Sequence, residues 1–117
     1  MTDRDITERA NTHVLDELYR VIQSRRGGDP ESSYTAKLLH AGPDKVSKKL
    51  GEEAVEAVIE GVRGDNEALA NESADLLYHL LVLWTARGLD PERVWQALEA
   101  RLGTSGIAEK MARNKQA

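Results

Sequence analysis

Residues 52–75 carry eight acidic side chains, Glu52, Glu53, Glu56, Glu60, Asp65, Glu67, Glu72 and Asp75, against one base, Arg63, on segments whose apolar residues recur every three to four positions. At about 100° per residue, Val55, Val58, Ile59 and Val62 fall within about 100° of one another, the mark of a buried helix face. Glu52 and Glu56 border that arc, and Glu53 and Glu60 lie on the same side one turn away. Further on, Glu72, Asp75 and His79 share an arc of about 60° that merges with Leu76, Leu80 and Leu83. The pattern places the acids inside or beside a helical core.

The rest of the chain agrees with an all-α fold, a bundle of about four to five helices. Val14, Leu15, Leu18, Val21 and Ile22 repeat at helical spacing, predicting a first helix over residues 5–25 that stops at Gly27 and Gly28. A long connection, GDPESSYTAKLLHAGP, follows, with about two helical turns expected at 35–40. Long connections in small domains are commonly functional, which marks Ser33, Tyr34 and Thr35 as candidate ligand contacts. Asp44 reads as the N-cap of a helix over 44–62, broken by the glycine-rich run around Gly64. The next helix covers 67–87, with Gly88 as its left-handed stop. Asp90 and Pro91 open another to Leu102, and a short basic helix over 107–113 closes the chain.

Only 117 residues leave room for one domain, with the ends, 1–12 and 114–117, expected to be flexible. The absence of cysteine excludes a disulfide framework and a thiolate metal site. No apolar run approaches the roughly 20 residues of a membrane span, and MTDRDITERA lacks the apolar stretch of a secretory signal, so a cytoplasmic location is expected. Sixteen bases against 20 acids, net −4, argue against a nucleic-acid binder. The bases are unevenly placed: Lys37, Lys45, Lys48 and Lys49 stand immediately before the acidic stretch.

Carboxylates clustered near a core each disfavour ionisation of the next, and an unpaired one is costly to bury. With one base in the stretch, a hard divalent cation is the economical compensation. Oxygen ligands favour Mg²⁺ or Mn²⁺ over zinc or copper. The acids can be written EExxE (Glu52, Glu53, Glu56), 15 residues, then ExxD (Glu72, Asp75). Two antiparallel helices joined near Gly64–Asn66 bring these groups together. A ferritin-like di-iron site is disfavoured, because the position three after Glu72 is Asp75 rather than histidine.

The segments KKLGEEAVEAVIE (48–60) and ESADLLYHLLVLW (72–84) resemble the signature of the MazG-like superfamily of all-α NTP pyrophosphohydrolases. Within it, SYTAKLL (33–39), GEEAVE (51–56), DLLYHLLVL (75–83) and SGIAEKMAR (105–113) are similar to the phosphoribosyl-ATP pyrophosphatase family. That resemblance implies Mg²⁺-dependent hydrolysis of phosphoribosyl-ATP to phosphoribosyl-AMP and pyrophosphate, the second step of histidine biosynthesis, by a homodimer whose helices complete one bundle. It also implies that Glu52, Glu53, Glu56, Glu72 and Asp75 form the catalytic acidic set, with metal ligands among them.

On this basis Glu53, Glu56, Glu72 and Asp75 are the expected metal ligands and Glu52 the expected group that orients or deprotonates water. Lys48, Lys49, Tyr34, His79, Lys110 and Arg113 are the candidate substrate contacts, the last two reaching across a dimer. His79, one turn after Asp75, is a candidate partner for a ligating carboxylate. Tyr78 and Trp84 are aromatics able to stack on adenine, but helical spacing among leucines favours a core role for both. Two other functions remain open at this point: a house-cleaning pyrophosphohydrolase of (d)NTPs, and a non-catalytic helical dimerisation module.

Overall fold

A computed structural model describes residues 3–102 and Arg113, with side chains from Val14 onward. Among the described residues the fold is all-α: α1 (Asp3–Ser24), α2 (Tyr34–Ala41), α3 (Pro43–Arg63), α4 (Asn66–Arg87) and α5 (Pro91–Leu102). Apart from Arg113, the helix expected over 107–113 lies outside the described residues.

Local chemistry sets most boundaries where the sequence put them. Ser33 caps α2, its Oγ accepting from the Ala36 amide at 3.1 Å. Gly64 ends α3 in the left-handed conformation, φ 80°, and Asp65 at once caps α4 by accepting from the Ala68 amide at 3.0 Å. This two-residue junction folds α3 back on α4 as an antiparallel hairpin, the most extensive helix contact in the molecule. One cap differs from expectation. Gly42, φ 96°, precedes α3 with Pro43 at its first helical position, and Asp44 lies within the first turn rather than at the cap. Proline suits that position because its missing N–H would be unpaired there anyway, and the Asp44 carboxylate still meets the positive end of the helix dipole.

The core consists of Ile22 from α1, Leu38 from α2, Val46 from α3, and Leu81 and Val82 from α4, with Leu15, Leu18, Leu39, Tyr78, Leu83 and Trp84 packed around it. The buried Thr85 hydroxyl is satisfied within α4 by donating to the Leu81 carbonyl at 3.0 Å. Helix α5 meets the body through Trp95, whose ring stands edge-on to Trp84 with centroids 5.8 Å apart.

The expected buried face of α3 is not buried in this chain. Val55, Val58, Ile59 and Val62 are 59%, 64%, 46% and 84% exposed. The residues of α3 that are wholly or partly covered are Pro43, Val46, Lys49, Leu50, Glu53, Ala54, Ala57 and Glu60. On a helical projection the centres of these two sets lie roughly 180° apart. Helix α3 therefore turns a flank of small residues and glutamates toward α4 and leaves its larger apolar stripe uncovered.

Candidate metal centre

The hairpin determines which acids meet. Glu56 is eight residues before Gly64 and Glu72 seven after Asp65, so the antiparallel register sets them opposite each other, with Glu53 one turn from Glu56. One ligand oxygen from each of Glu53, Glu56 and Glu72 lies within 4.8 Å of the others. Ala54 and Ala57, small and half-buried beside them, let the two backbones approach.

This grouping is electrostatically uncompensated. The Oε2 atoms of Glu53 and Glu72 are covered and have no hydrogen-bond donor. The nearby bases are engaged elsewhere: Lys49 pairs with Glu52 at 3.5 Å and Arg63 with Glu60 at 3.6 Å. Glu72 responds by holding a proton, its pKa raised from 4.5 to about 7. The first cause is a hydrogen bond with Glu56, which exists only while a proton sits between the two carboxyl groups; burial and the charges of Glu56, Glu53 and Asp75 add to it. Three convergent carboxylates, two of them with a covered and donorless oxygen and Glu56 exposed, offer the all-oxygen donor set of a hard divalent cation, so the residues present fit Mg²⁺ or Mn²⁺.

The other expected site residues divide into groups. Asp75 is exposed and stands outside the three-carboxylate set, yet its charge is felt at Glu72. Glu52 is exposed, on the outer side of α3, in its ion pair with Lys49; Lys48 is exposed. Lys110 lies outside the described residues, and Arg113 is exposed.

His79 is 6% exposed, and its Nδ1 lies 2.8 Å from the main-chain oxygen of Asp75, not from the Asp75 carboxylate. Tyr78 is a structural contact: its phenol hydrogen-bonds Thr35, tying α4 to α2, and its ring stands edge-on to His79 at 5.1 Å between centroids. Burial raises the Tyr78 pKa, and the Thr35 hydrogen bond partly offsets that. Trp84 is likewise occupied, by Trp95. Of the three loop candidates, Ser33 and Thr35 are thus committed to a cap and a tether. Tyr34 remains half-exposed, edge-on to His79 at 6.3 Å, and lines a 370 Å³ pocket with Pro30, Glu31, Ser32, Ser33 and Lys37. Lys37 had drawn attention only as part of the basic segment; its place one turn after Tyr34 on α2 is the signal that links it to this pocket.

Comparison with known proteins identifies the family. Residues 15–102 match the family model described as phosphoribosyl-ATP pyrophosphohydrolase. A phosphoribosyl-ATP pyrophosphatase of Azospirillum brasilense is 61% identical over 106 residues, covering 91% of this chain and 96% of the relative. One from Trichlorobacter lovleyi is 58% identical over 91% of this chain and 98% of its own, and one from Gluconobacter oxydans 54% identical over 88% and 77%.

Proposed function

The chain belongs to the phosphoribosyl-ATP pyrophosphohydrolase family, and from that premise we propose that it hydrolyses phosphoribosyl-ATP to phosphoribosyl-AMP and pyrophosphate in histidine biosynthesis through the carboxylates of the α3–α4 hairpin. The observation that carries the assignment of the site is the convergence of Glu53, Glu56 and Glu72 with two covered, donorless oxygens.

Glu53, Glu56 and Glu72 would hold Mg²⁺ or Mn²⁺, with Asp75, one turn on in α4, as a further candidate ligand. When bound, the cation supplies Lewis-acid neutralisation of the triphosphate charge. The chain's own residues do the remainder. Glu52, outside the ligand set, accepts a proton from the attacking water, with Lys49 beside it as a counter-charge. Water adds its oxygen to phosphorus, the α–β anhydride bond breaks, and the pyrophosphate oxygens leave toward Lys48 and Lys49 on the same helix. Lys110 and Arg113 are the further candidate contacts to the substrate phosphates, offered across the dimer. Tyr34 contacts the nucleoside portion from the mouth of the α2 pocket.

The enzyme works as a homodimer. Support for this comes from α3, whose Val55, Val58, Ile59 and Val62 form one uncovered apolar stripe. A two-fold axis beside α3 pairs that stripe with its own copy and completes a bundle around the hairpin. No described helix is long and apolar enough to cross a membrane, which accords with work in the cytoplasm.

The test is pyrophosphate release from phosphoribosyl-ATP, with and without Mg²⁺, against ATP and dNTPs. Metal-dependent release with preference for phosphoribosyl-ATP is expected. Equal turnover of dNTPs would assign the site to a general nucleotide pyrophosphohydrolase.

A further inference from the structure

Among the described residues, another buried polar anomaly lies outside the acid cluster. The His79 Nδ1 faces a carbonyl oxygen, that of Asp75 at 2.8 Å, and a carbonyl can only accept, so Nδ1 carries the hydrogen. In the neutral ring Nε2 is then a bare acceptor. It is fully covered and has no partner. Buried acceptors in native folds are nearly always paired, and one left unpaired stands where the fold has kept a polar atom at a cost. An apolar side chain would serve the core better, because the Asp75 carbonyl lies within α4 and already accepts a backbone hydrogen bond from residue 79.

Position says what Nε2 is kept for. His79 follows Glu72 by seven residues on the same side of α4, so it lies ~10 Å along the helix from the acid cluster. A nucleotide held by its phosphates at the carboxylates and lying along α4 toward its C-terminal end would bring its nucleoside portion to the level of His79. Two aromatic rings bound the imidazole. Tyr78 is fixed by Thr35, whereas Tyr34, 53% exposed at the first position of α2, both meets the His79 ring edge-on and lines the 370 Å³ pocket. Tyr34 is therefore the ring free to swing.

We infer that His79 Nε2 accepts a hydrogen bond from an N–H or O–H of the nucleoside portion of the substrate, reached when the Tyr34 ring moves aside. This rests on the hydrolysis of phosphoribosyl-ATP proposed above and adds to it a group that reads the nucleoside end rather than the phosphates. Discrimination follows, since a site with a buried acceptor rejects any ligand that lacks the matching donor.

Two variants and one measurement on the unaltered protein test it. His79→Met replaces the ring by an apolar chain of similar reach; His79→Gln keeps an oxygen acceptor near the Nε2 position. His79→Met is expected to raise KM for phosphoribosyl-ATP by roughly 10-fold while leaving Tm unchanged or higher, and His79→Gln to stay within about 3-fold of the parent. A parallel rise for ATP assigns the donor to the shared adenosine, and a rise for phosphoribosyl-ATP alone assigns it to the added ribosyl group. Unchanged KM in both variants, or equal loss in both, overturns the inference. In the wild-type protein, the ¹⁵N resonance of His79 Nε2 should move upfield on titration with phosphoribosyl-AMP, which carries the nucleoside end without the pyrophosphate. A resonance that stays in place while other signals report saturation overturns it as well. A wild-type enzyme that neither binds phosphoribosyl-AMP nor cleaves phosphoribosyl-ATP refutes the hydrolase assignment instead.

Discussion

The proton held by Glu72 makes metal binding depend on pH in a direction and by an amount that follow from the geometry. Without metal, Glu72 titrates at about 7 because its proton bridges to Glu56 and because Glu53 and Asp75 add negative charge nearby. A cation bound by Glu56 and Glu72 must displace that proton, so the apparent Kd scales as 1 + 10^(7−pH). The factor is ~33 at pH 5.5 and ~1.1 at pH 8, hence a roughly 30-fold tightening of Mg²⁺ binding between them. Calorimetric titration in buffers of different ionisation enthalpy should count ~0.9 proton released per Mg²⁺ at pH 6 and ~0.1 at pH 8. Stability moves in the complementary sense. The folded-state pKa exceeds the ordinary value of 4.5, so this contribution is fully present below pH 4.5 and is lost as pH rises through about 7. The metal-free protein should therefore lose Tm between pH 5 and 8, and Mg²⁺ should restore more of it at pH 8 than at pH 5. Magnesium affinity that is flat across this range, or stronger in acid, would refute the shared proton and with it the convergence of Glu56 and Glu72.

Glu56→Gln and Asp75→Asn should each leave the helical circular dichroism signal intact and lower Mg²⁺-dependent pyrophosphate release by ~100-fold or more; near-normal turnover in both would remove the hairpin acids from catalysis. Val58→Asp combined with Val62→Asp places charges on the uncovered stripe of α3 and should yield monomers by light scattering, whereas a dimer of unchanged mass would put the subunit contact elsewhere. Thr35→Val removes the hydroxyl that pairs with the half-buried Tyr78 phenol and should cost ~1–3 kcal/mol in denaturant unfolding, because α2 loses its polar tether to α4 and the phenol is left without a partner.

Helices and their ends were legible in the sequence because their signals are local. Gly64 and Gly88 act through their own backbone geometry, so a linear reading finds them, whereas Ser33, expected as a ligand contact, and Asp65, within the break around Gly64, prove to be N-caps. The meeting of Glu53 and Glu56 with Glu72 was legible for a related reason, because a tight turn makes the register of a helical hairpin nearly a matter of counting residues; Glu52 and Asp75, expected with them, stand outside the cluster. What the pattern did not reveal is which chain covers an apolar face. Val55, Val58, Ile59 and Val62 give the periodicity of a buried stripe whether the cover is α4 or a second copy, since the hydrophobic effect has no memory of connectivity. The tether between Thr35 and Tyr78, 43 residues apart, and the orphaned Nε2 of His79 depend on tertiary placement of α2 and leave no periodic trace.

The two faces of α3 explain why site and assembly belong to one design. A helix that packed its valine stripe against α4 would turn Glu53 away from Glu72 and disperse the acids into solvent. Packing instead through Ala54 and Ala57 brings the backbones close and forces the carboxylates into a shared space, at the expense of leaving the largest apolar surface of the helix without a neighbour in its own chain. Two physical consequences result, repelling carboxylates on one side and exposed valines on the other. The proposed cation would relieve the first, and the proposed second copy of the same stripe would cover the second by symmetry. Both proposals trace to one feature, that the flank of α3 carrying small residues and glutamates, rather than its valines, is the covered one.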